Sequence, residues 1–302
     1  MHITFAGTPK FSKIVLENLL SETSIDAVVT AKDKKKGRGL KKKASPVKKI
    51  AQSKQIAVFH DLNEIIEKTD LVLVAAYGRI ISEKNLKKPK MGFLNVHPSL
   101  LPKYRGPSPI QGAILNGEEE TGVSIMLMDQ KIDHGPILKQ KKIKLDQTEY
   151  YKDLEEKLAC LGGKLLSKTV KEWTTGKIKS QEQNHSQATY TKLFKKSDGK
   201  VNWKDSAVQI EREIRAYNPW PGSYSKLDNK MIKFFKAEVQ KQTKNGPFGE
   251  PGKIYLGTNE KIAVQTGKDF LLIKELQKEG KKKTNSKNFL QGNIDIIGKT
   301  FH

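Results

Sequence analysis

The chain reads as two patterned stretches separated by a polar one. His2–Gly7 is a continuous apolar run of strand length, followed by Thr8-Pro9 and by Phe11, Ile14, Val15 and Leu19 at helical spacing. Ile25–Thr30 is a second strand. After a lysine-rich loop, Ser45-Pro46 is the start signal of a short helix reaching about Ser53. Asp70–Tyr77 and Gly92–His97 are further strands, each preceded by a helical segment. Ser108-Pro109 opens another helix that Asn116-Gly117 ends. Thr121–Met128 and Ile137–Leu145 read as strands, and Tyr150–Trp173 as a long helix. Strands alternating with helices in this way predict a mostly parallel sheet covered on both faces, an α/β domain over residues 1–173.

Residues 174–203 are polar and basic, with breakers at Gly176 and Asp198-Gly199. They predict a surface linker, ordered where Tyr190, Leu193 and Phe194 anchor it. Beyond it, Val208, Ile210 and Ile214 mark a helical piece, and Asn218-Pro219-Trp220-Pro221 breaks the chain. Short β segments follow near 223–227, 231–239, 253–256, 261–265 and 269–275, separated by Gly- and Asn-containing turns. Five short strands in so little chain predict a small barrel over residues 204–302, of a kind often used on oligonucleotides. Trp203, Trp220 and Tyr224 could stack on bases there, although a Trp beside Pro more often packs.

Composition narrows the classes. No apolar stretch approaches the ~18 residues that cross a bilayer. A basic leader is absent before Ile3, and the one cysteine, Cys160, provides neither a disulfide framework nor a cysteine zinc site. A cytoplasmic monomer without a metal is the expectation. The net charge is +23 over 302 residues, and it is unevenly placed. Segment 32–49 carries +9, segment 174–204 +5 and segment 207–302 +8, leaving the rest at +1. A near-neutral body with basic attachments suits a neutral pocket beside a polyanion-binding surface.

Candidate chemistry is densest in Asn95-Val96-His97-Pro98-Ser99-Leu100-Leu101-Pro102-Lys103-Tyr104-Arg105-Gly106-Pro107. Asn95 and His97 sit at alternate positions of one strand and so share a face. At the C-terminal edge of a parallel sheet they would point into the crevice where such sheets bind ligands. An amide N–H beside an imidazole suits acyl transfer, one stabilising an oxyanion and the other handling a proton. Asp133, in the turn that Gly135-Pro136 closes, is the acidic partner expected to orient His97 and keep it charged. The chain has no serine elbow, Walker loop or His-x-x-x-His pair. Without a credible nucleophile, direct transfer between two substrates is the natural reading.

Phe5-Ala6-Gly7-Thr8-Pro9, the run from Asn95 to Gly106, Gly122-Val123-Ser124-Ile125-Met126 through Asp133-His134-Gly135, and Asn218-Pro219-Trp220-Pro221 resemble the folate-dependent formyltransferases, specifically the methionyl-tRNA formyltransferase family. The resemblance covers essentially the whole chain. It implies a Rossmann-like first domain and an OB-type barrel after it. It also implies 10-formyltetrahydrofolate as formyl donor and initiator methionyl-tRNA as acceptor. By motif, Asn95, His97 and Asp133 match the catalytic trio. Ser99, Leu100, Leu101 and Pro102 match the folate-lining segment, with Tyr77 and Asp129 at its border. Gly37-Arg38-Gly39 in the basic loop 32–45 matches the insertion that enters the acceptor stem, with Lys34, Lys35, Lys36, Lys41, Lys42 and Lys43 supplying phosphate charge. His134 departs from the smaller residue expected there and would narrow the pocket. A relative that formylates a small amine, such as glycinamide ribonucleotide or an amino-sugar nucleotide, would share the trio but gain little from the basic loop.

Overall fold

The computed structural model describes residues 1–36, 41–242 and 249–302. Contact density divides the chain into two units. The first holds residues 1–109, 120–145 and 153–192, and the second holds residues 110–119, 146–152 and 193–302.

The first unit is built on the strands β1 (Ile3–Gly7), β2 (Ala27–Val29), β5 (Ala57–Phe59), β6 (Leu71–Ala75), β7 (Phe93–His97), β8 (Glu120–Leu127) and β9 (Ile137–Lys144). They form one sheet in the order β5-β2-β1-β6-β7-β8-β9. Pairing is parallel from β5 to β7 and antiparallel for β7–β8 and β8–β9. Strand order reverses direction at β1 and β6, the place where such sheets open a crevice above their C-terminal ends. β1 and β6 are buried throughout, as their unbroken apolar runs require of central strands covered on both faces.

Helices α1 (Lys10–Leu19), α2 (Pro46–Ser53) and α3 (Glu83–Leu86) connect the strands. Ser45 caps α2 through a bond from Lys48 N to its Oγ at 3.0 Å, with Pro46 at the first helical position. α5 (Tyr151–Thr174) covers the sheet with Gly162 and Gly163 on its inner face. A Cβ at Gly162 would stand 2.7 Å from Val96 Cγ1, and one at Gly163 2.7 Å from Val15 O. The helix therefore lies directly against the strand that carries Asn95 and His97.

The basic loop is not irregular. Lys34–Lys36 (β3) and Lys41–Lys43 (β4) pair antiparallel, Lys34 opposite Lys43, Lys35 opposite Lys42 and Lys36 opposite Lys41. Gly37, Arg38 and Gly39, between the two strands in sequence, lie outside the described residues. The polar segment after α5 also differs from a plain linker. Leu193 is exposed, Tyr190 is exposed with its Oη on the Arg105 guanidinium, and Phe194 packs edge-on against Tyr217, while residues 181–191 form a strap held to the rest of the first unit by backbone bonds and polar side chains. Gln181 exchanges both backbone bonds with Ile137 at 2.8 Å, and Thr191 N donates to Arg105 O at 2.7 Å.

The second unit contains α4 (Pro109–Leu115, all but its first residue), α6 (Ala207–Ala216) and α7 (Ser286–Gln291). Its strands are β10 (Ser223–Leu227), β11 (Lys230–Gln240), β12 (Ile254–Leu256), β13 (Ile262–Gln265), β14 (Phe270–Lys278) and β15 (Thr284–Asn285). They form an antiparallel sheet in the order β10-β11-β14-β13-β12, with β15 added to β14. This is the small β domain expected from the spacing of short strands. Residues 298–302 bond to both of its edges. Gly298 N donates to Ile254 O beside β12, and Lys226 and His302 exchange backbone bonds beside β10. Edge groups that would stay unpaired are thereby satisfied. Trp203, Phe234 and Phe301 meet in the core at centroid separations of 5.4 to 5.6 Å. Trp203 is thus a packing residue, whereas Trp220 is 55% exposed.

On α6, burial pushes the Glu213 carboxyl up to about 7, and the Asp205 charge adds to the effect against the hydrogen bond with Gln209. A carboxyl that resists ionisation when folded costs nothing below its ordinary 4.5, and its penalty is complete above about 7. Glu213→Gln should therefore exceed the parent in stability by about 2 kcal/mol at pH 8 and match it at pH 4. Urea midpoints at the two pH values measure this, and an equal gap at both would exclude ionisation as the cause.

Candidate active site

Asn95 and His97 leave β7 on one face of the sheet, at its C-terminal end. Asp133 arrives from the loop between β8 and β9, and all three side chains meet. His97 Nδ1 lies 3.5 Å from Asp133 Oδ1, and Asn95 Nδ2 donates toward the same oxygen at 3.4 Å. The second carboxylate oxygen accepts from Gly106 N at 2.7 Å. His97 is 4% exposed, and its Nε2 faces the Tyr104 carbonyl at 2.9 Å. A carbonyl only accepts, so Nε2 carries a proton. The Asp133 carboxylate faces the other ring nitrogen, Nδ1. Asn95 is the more open of the two strand residues, and its amide nitrogen has a second N–H to offer.

The Asp133 backbone is itself unusual, with a φ of 48° in the left-handed region. Non-glycine residues there cost about 1–2 kcal/mol and persist only where their surroundings hold them. Two carbonyls beside it are held by one side chain. Gln183 Nε2 donates to Asp133 O at 3.0 Å and to Gly135 O at 2.7 Å. Gly135 has no alternative residue type, since a Cβ would lie 2.1 Å from Leu127 O. Gln183 Oε1 in turn accepts from Arg105 Nε at 3.2 Å and Nη2 at 2.7 Å. Arg105 is 1% exposed, and the same guanidinium reaches Tyr190 Oη at 3.3 Å and His185 Nδ1 at 2.9 Å.

His134 joins this bracing rather than the reacting group. Its Nδ1 contacts Asp129 Oδ2 at 2.6 Å, and its ring stacks on that of His185 with centroids 4.0 Å apart. Lost hydration, with His134 and Arg105 close by, holds His185 below the ordinary imidazole range. Asp129 therefore serves His134 directly, and its other oxygen accepts from Lys131 N.

The remaining expected residues divide. Ser99 is fully buried and donates to Lys103 O at 2.6 Å, and Leu101 is buried with its N–H on Ser124 Oγ. Leu100 and Pro102 are partly exposed. Tyr77 lines a separate open cleft of about 480 Å³ above the ends of β1, β2 and β6, with Thr8, Lys32, Lys34, Ala76 and Arg79. Lys34 is thus both a cleft residue and the first residue of the lysine hairpin. Among the described residues no cluster of His, Cys, Asp and Glu is arranged to hold a metal, and no helix is long and apolar enough to cross a membrane.

Gln183, Arg105, His185 and the Gly106 amide were not legible as site residues. The only signal available was Arg105 itself, one of five arginines in a lysine-dominated chain and already inside the conspicuous run. Gln183 lies in a polar stretch with nothing to mark it.

Residues 1–170 match the formyl transferase family, and residues 193–293 match the formyl transferase C-terminal domain. A methionyl-tRNA formyltransferase of Caldanaerobacter subterraneus subsp. tengcongensis is 40% identical, over 97% of each chain. One from Staphylococcus aureus is 37% identical over 98% of each. Among solved structures, an N-formyltransferase from Helicobacter canadensis in complex with folinic acid and dTDP-3-aminofucose superposes with a TM-score of 0.70. That match covers 94% of this chain and 100% of the other, at 22% identity, and it speaks for the fold alone. The chain belongs to the formyl transferase family, with the methionyl-tRNA formyltransferases.

Proposed function

We propose that the protein transfers the formyl group of 10-formyltetrahydrofolate to the α-amine of methionine on initiator methionyl-tRNA. The observation that carries the tRNA part is the lysine hairpin, rooted at the cleft through Lys34. Like charges directly opposite one another on paired strands repel, and Lys34 stands opposite Lys43, a poor design for a free surface. A phosphate backbone laid across them reverses that cost. Arg38, between the two lysine runs in sequence, would offer a planar, stacking or bidentate contact to the unpaired acceptor end. A small amine metabolite would leave the hairpin without a purpose.

In the transfer, the neutral amine attacks the formyl carbon and a tetrahedral oxyanion forms. Asn95 Nδ2 donates to that oxygen through its free N–H. The His97 ring supports the same charge when its Tyr104 or Asp133 contact yields. Asp133 orients the ring and takes part in moving the amine proton toward the departing folate nitrogen. The carbon–nitrogen bond to folate then breaks, and formylmethionyl-tRNA and tetrahydrofolate leave. Ser99 and Leu101 shape the segment beneath Leu100 and Pro102, which face the folate.

Asn95→Ala should lower kcat by about 10²–10³-fold, with thermal stability and both KM values little changed. Steady-state kinetics beside a melting curve decide this, and parental turnover would remove Asn95 from the mechanism. Arg38→Ala should raise KM for charged tRNA and leave KM for folate alone, while the salt dependence of tRNA binding becomes shallower. An unchanged tRNA KM would refute the hairpin's assignment. Offering charged tRNA and free amines side by side in a formyl-transfer assay tests the acceptor class itself.

A further inference from the structure

We infer that Gln183 is a positioning residue for the transfer, setting the carboxylate of Asp133 from the strap some fifty residues away. The inference rests on the reading of Asp133 as a catalytic group and adds the element that places it. Asp133 sits at φ 48°, a conformation its own backbone disfavours. Its carboxylate is fixed at one oxygen by a short bond from Gly106 N, while the contacts to Asn95 and His97 at the other oxygen are long. Long contacts exert little restoring force. The direction in which Oδ1 points is therefore set by the backbone of the loop, and there Gln183 acts.

One amide group holds both carbonyls that flank His134. Nε2 has two hydrogens, and they go to Asp133 O and Gly135 O. Gln183 is 5% exposed and its bond to Gly135 O is buried, so that carbonyl has no water as a ready replacement partner, while the bond to Asp133 O is half-buried. Arg105 fixes the amide's orientation, because both of its bonds to Gln183 require the oxygen, and not the nitrogen, on its side. The chain of contact runs Arg105 to Gln183 to the Asp133 backbone, and Arg105 adjoins Gly106, whose N–H holds the carboxylate. A single buried guanidinium thus connects the two supports of Asp133. The stack of His134 on His185 adds a second brace between loop and strap.

Two substitutions separate donation from packing. Gln183→Met removes both functions at similar size. Gln183→Glu keeps an acceptor for Arg105 and removes the N–H donors, leaving a carboxylate facing two carbonyl oxygens. In the full-length protein, each should lower kcat by on the order of 10- to 100-fold, with KM for tRNA and folate within about twofold. Because Gln183 acts through Asp133, its effect should vanish when Asp133→Asn is already present. The measurement is kcat and KM for each single variant and for Gln183→Met with Asp133→Asn. If Gln183→Met does not fold, Gln183→Glu and its combination with Asp133→Asn give the same comparison.

Parental kcat in either Gln183 variant, with Asp133→Asn impaired, would overturn the inference alone. So would losses that multiply in the double variant, which mark a general structural role. Full turnover by Asp133→Asn itself would overturn the catalytic reading and the inference with it, and that result is distinguishable because it needs no Gln183 variant.

Discussion

A single carboxylate must be held in a place where neither its own backbone nor its polar neighbours would put it unaided. Asp133 belongs to a loop, adopts a left-handed φ and approaches a buried imidazole and an amide that come from a strand nearly forty residues earlier. Strand β7 is rigid because it is buried in a parallel sheet and backed by the glycine face of α5. The loop has no such support of its own. Its position is set from outside by the Gly106 amide and by the Gln183 side chain, and both of these trace back to Arg105 or its neighbour. The geometry of the site is therefore a property of three separate chain segments, each tied to the others by polar bonds that water cannot easily replace.

Charge and chemistry occupy different parts of the chain. The candidate trio sits among neutral or paired side chains, while the net positive charge of the sequence is concentrated in segment 32–49 and in the residues after 174. This division suits a reaction in which a large polyanion must be held but the reacting amine must stay uncharged. A strongly positive pocket would favour the neutral amine yet would compete with the imidazole for the carboxylate. On the proposed reading, lysines kept in a hairpin of their own would meet phosphate without entering that contest. The second unit solves a different problem, since short antiparallel strands leave edges, and residues 298–302 close both of them with backbone bonds.

Much of the fold was legible because burial is written into residue order. The runs Ile3–Gly7 and Leu71–Ala75 are too apolar to be anything but central strands, and Ser45-Pro46 starts a helix in any context. Five of the six described strands of the second unit were readable from the turns between them, and the two-residue β15 was not. The lysine hairpin was read as a loop, because six lysines carry no alternation of apolar and polar positions from which a strand could be inferred. The strap was read as a linker for a related reason: backbone hydrogen bonds and scattered polar side chains attach it, and neither leaves a periodic pattern in the sequence.

The sequence by itself determined which groups could react: an amide and an imidazole at alternate strand positions, an aspartate in a turn that only glycine could close, and an absence of any nucleophile of the usual kinds. Local spacing suffices for that, because strand periodicity places Asn95 and His97 on one face whatever the rest of the chain does. Only the tertiary structure decided that Asp133 reaches them, that Gln183 and Arg105 brace it, and that His134 stacks on His185 instead of entering the pocket. Those are contacts between residues far apart in the chain, and a one-dimensional pattern holds no information about the loop closures that bring them together.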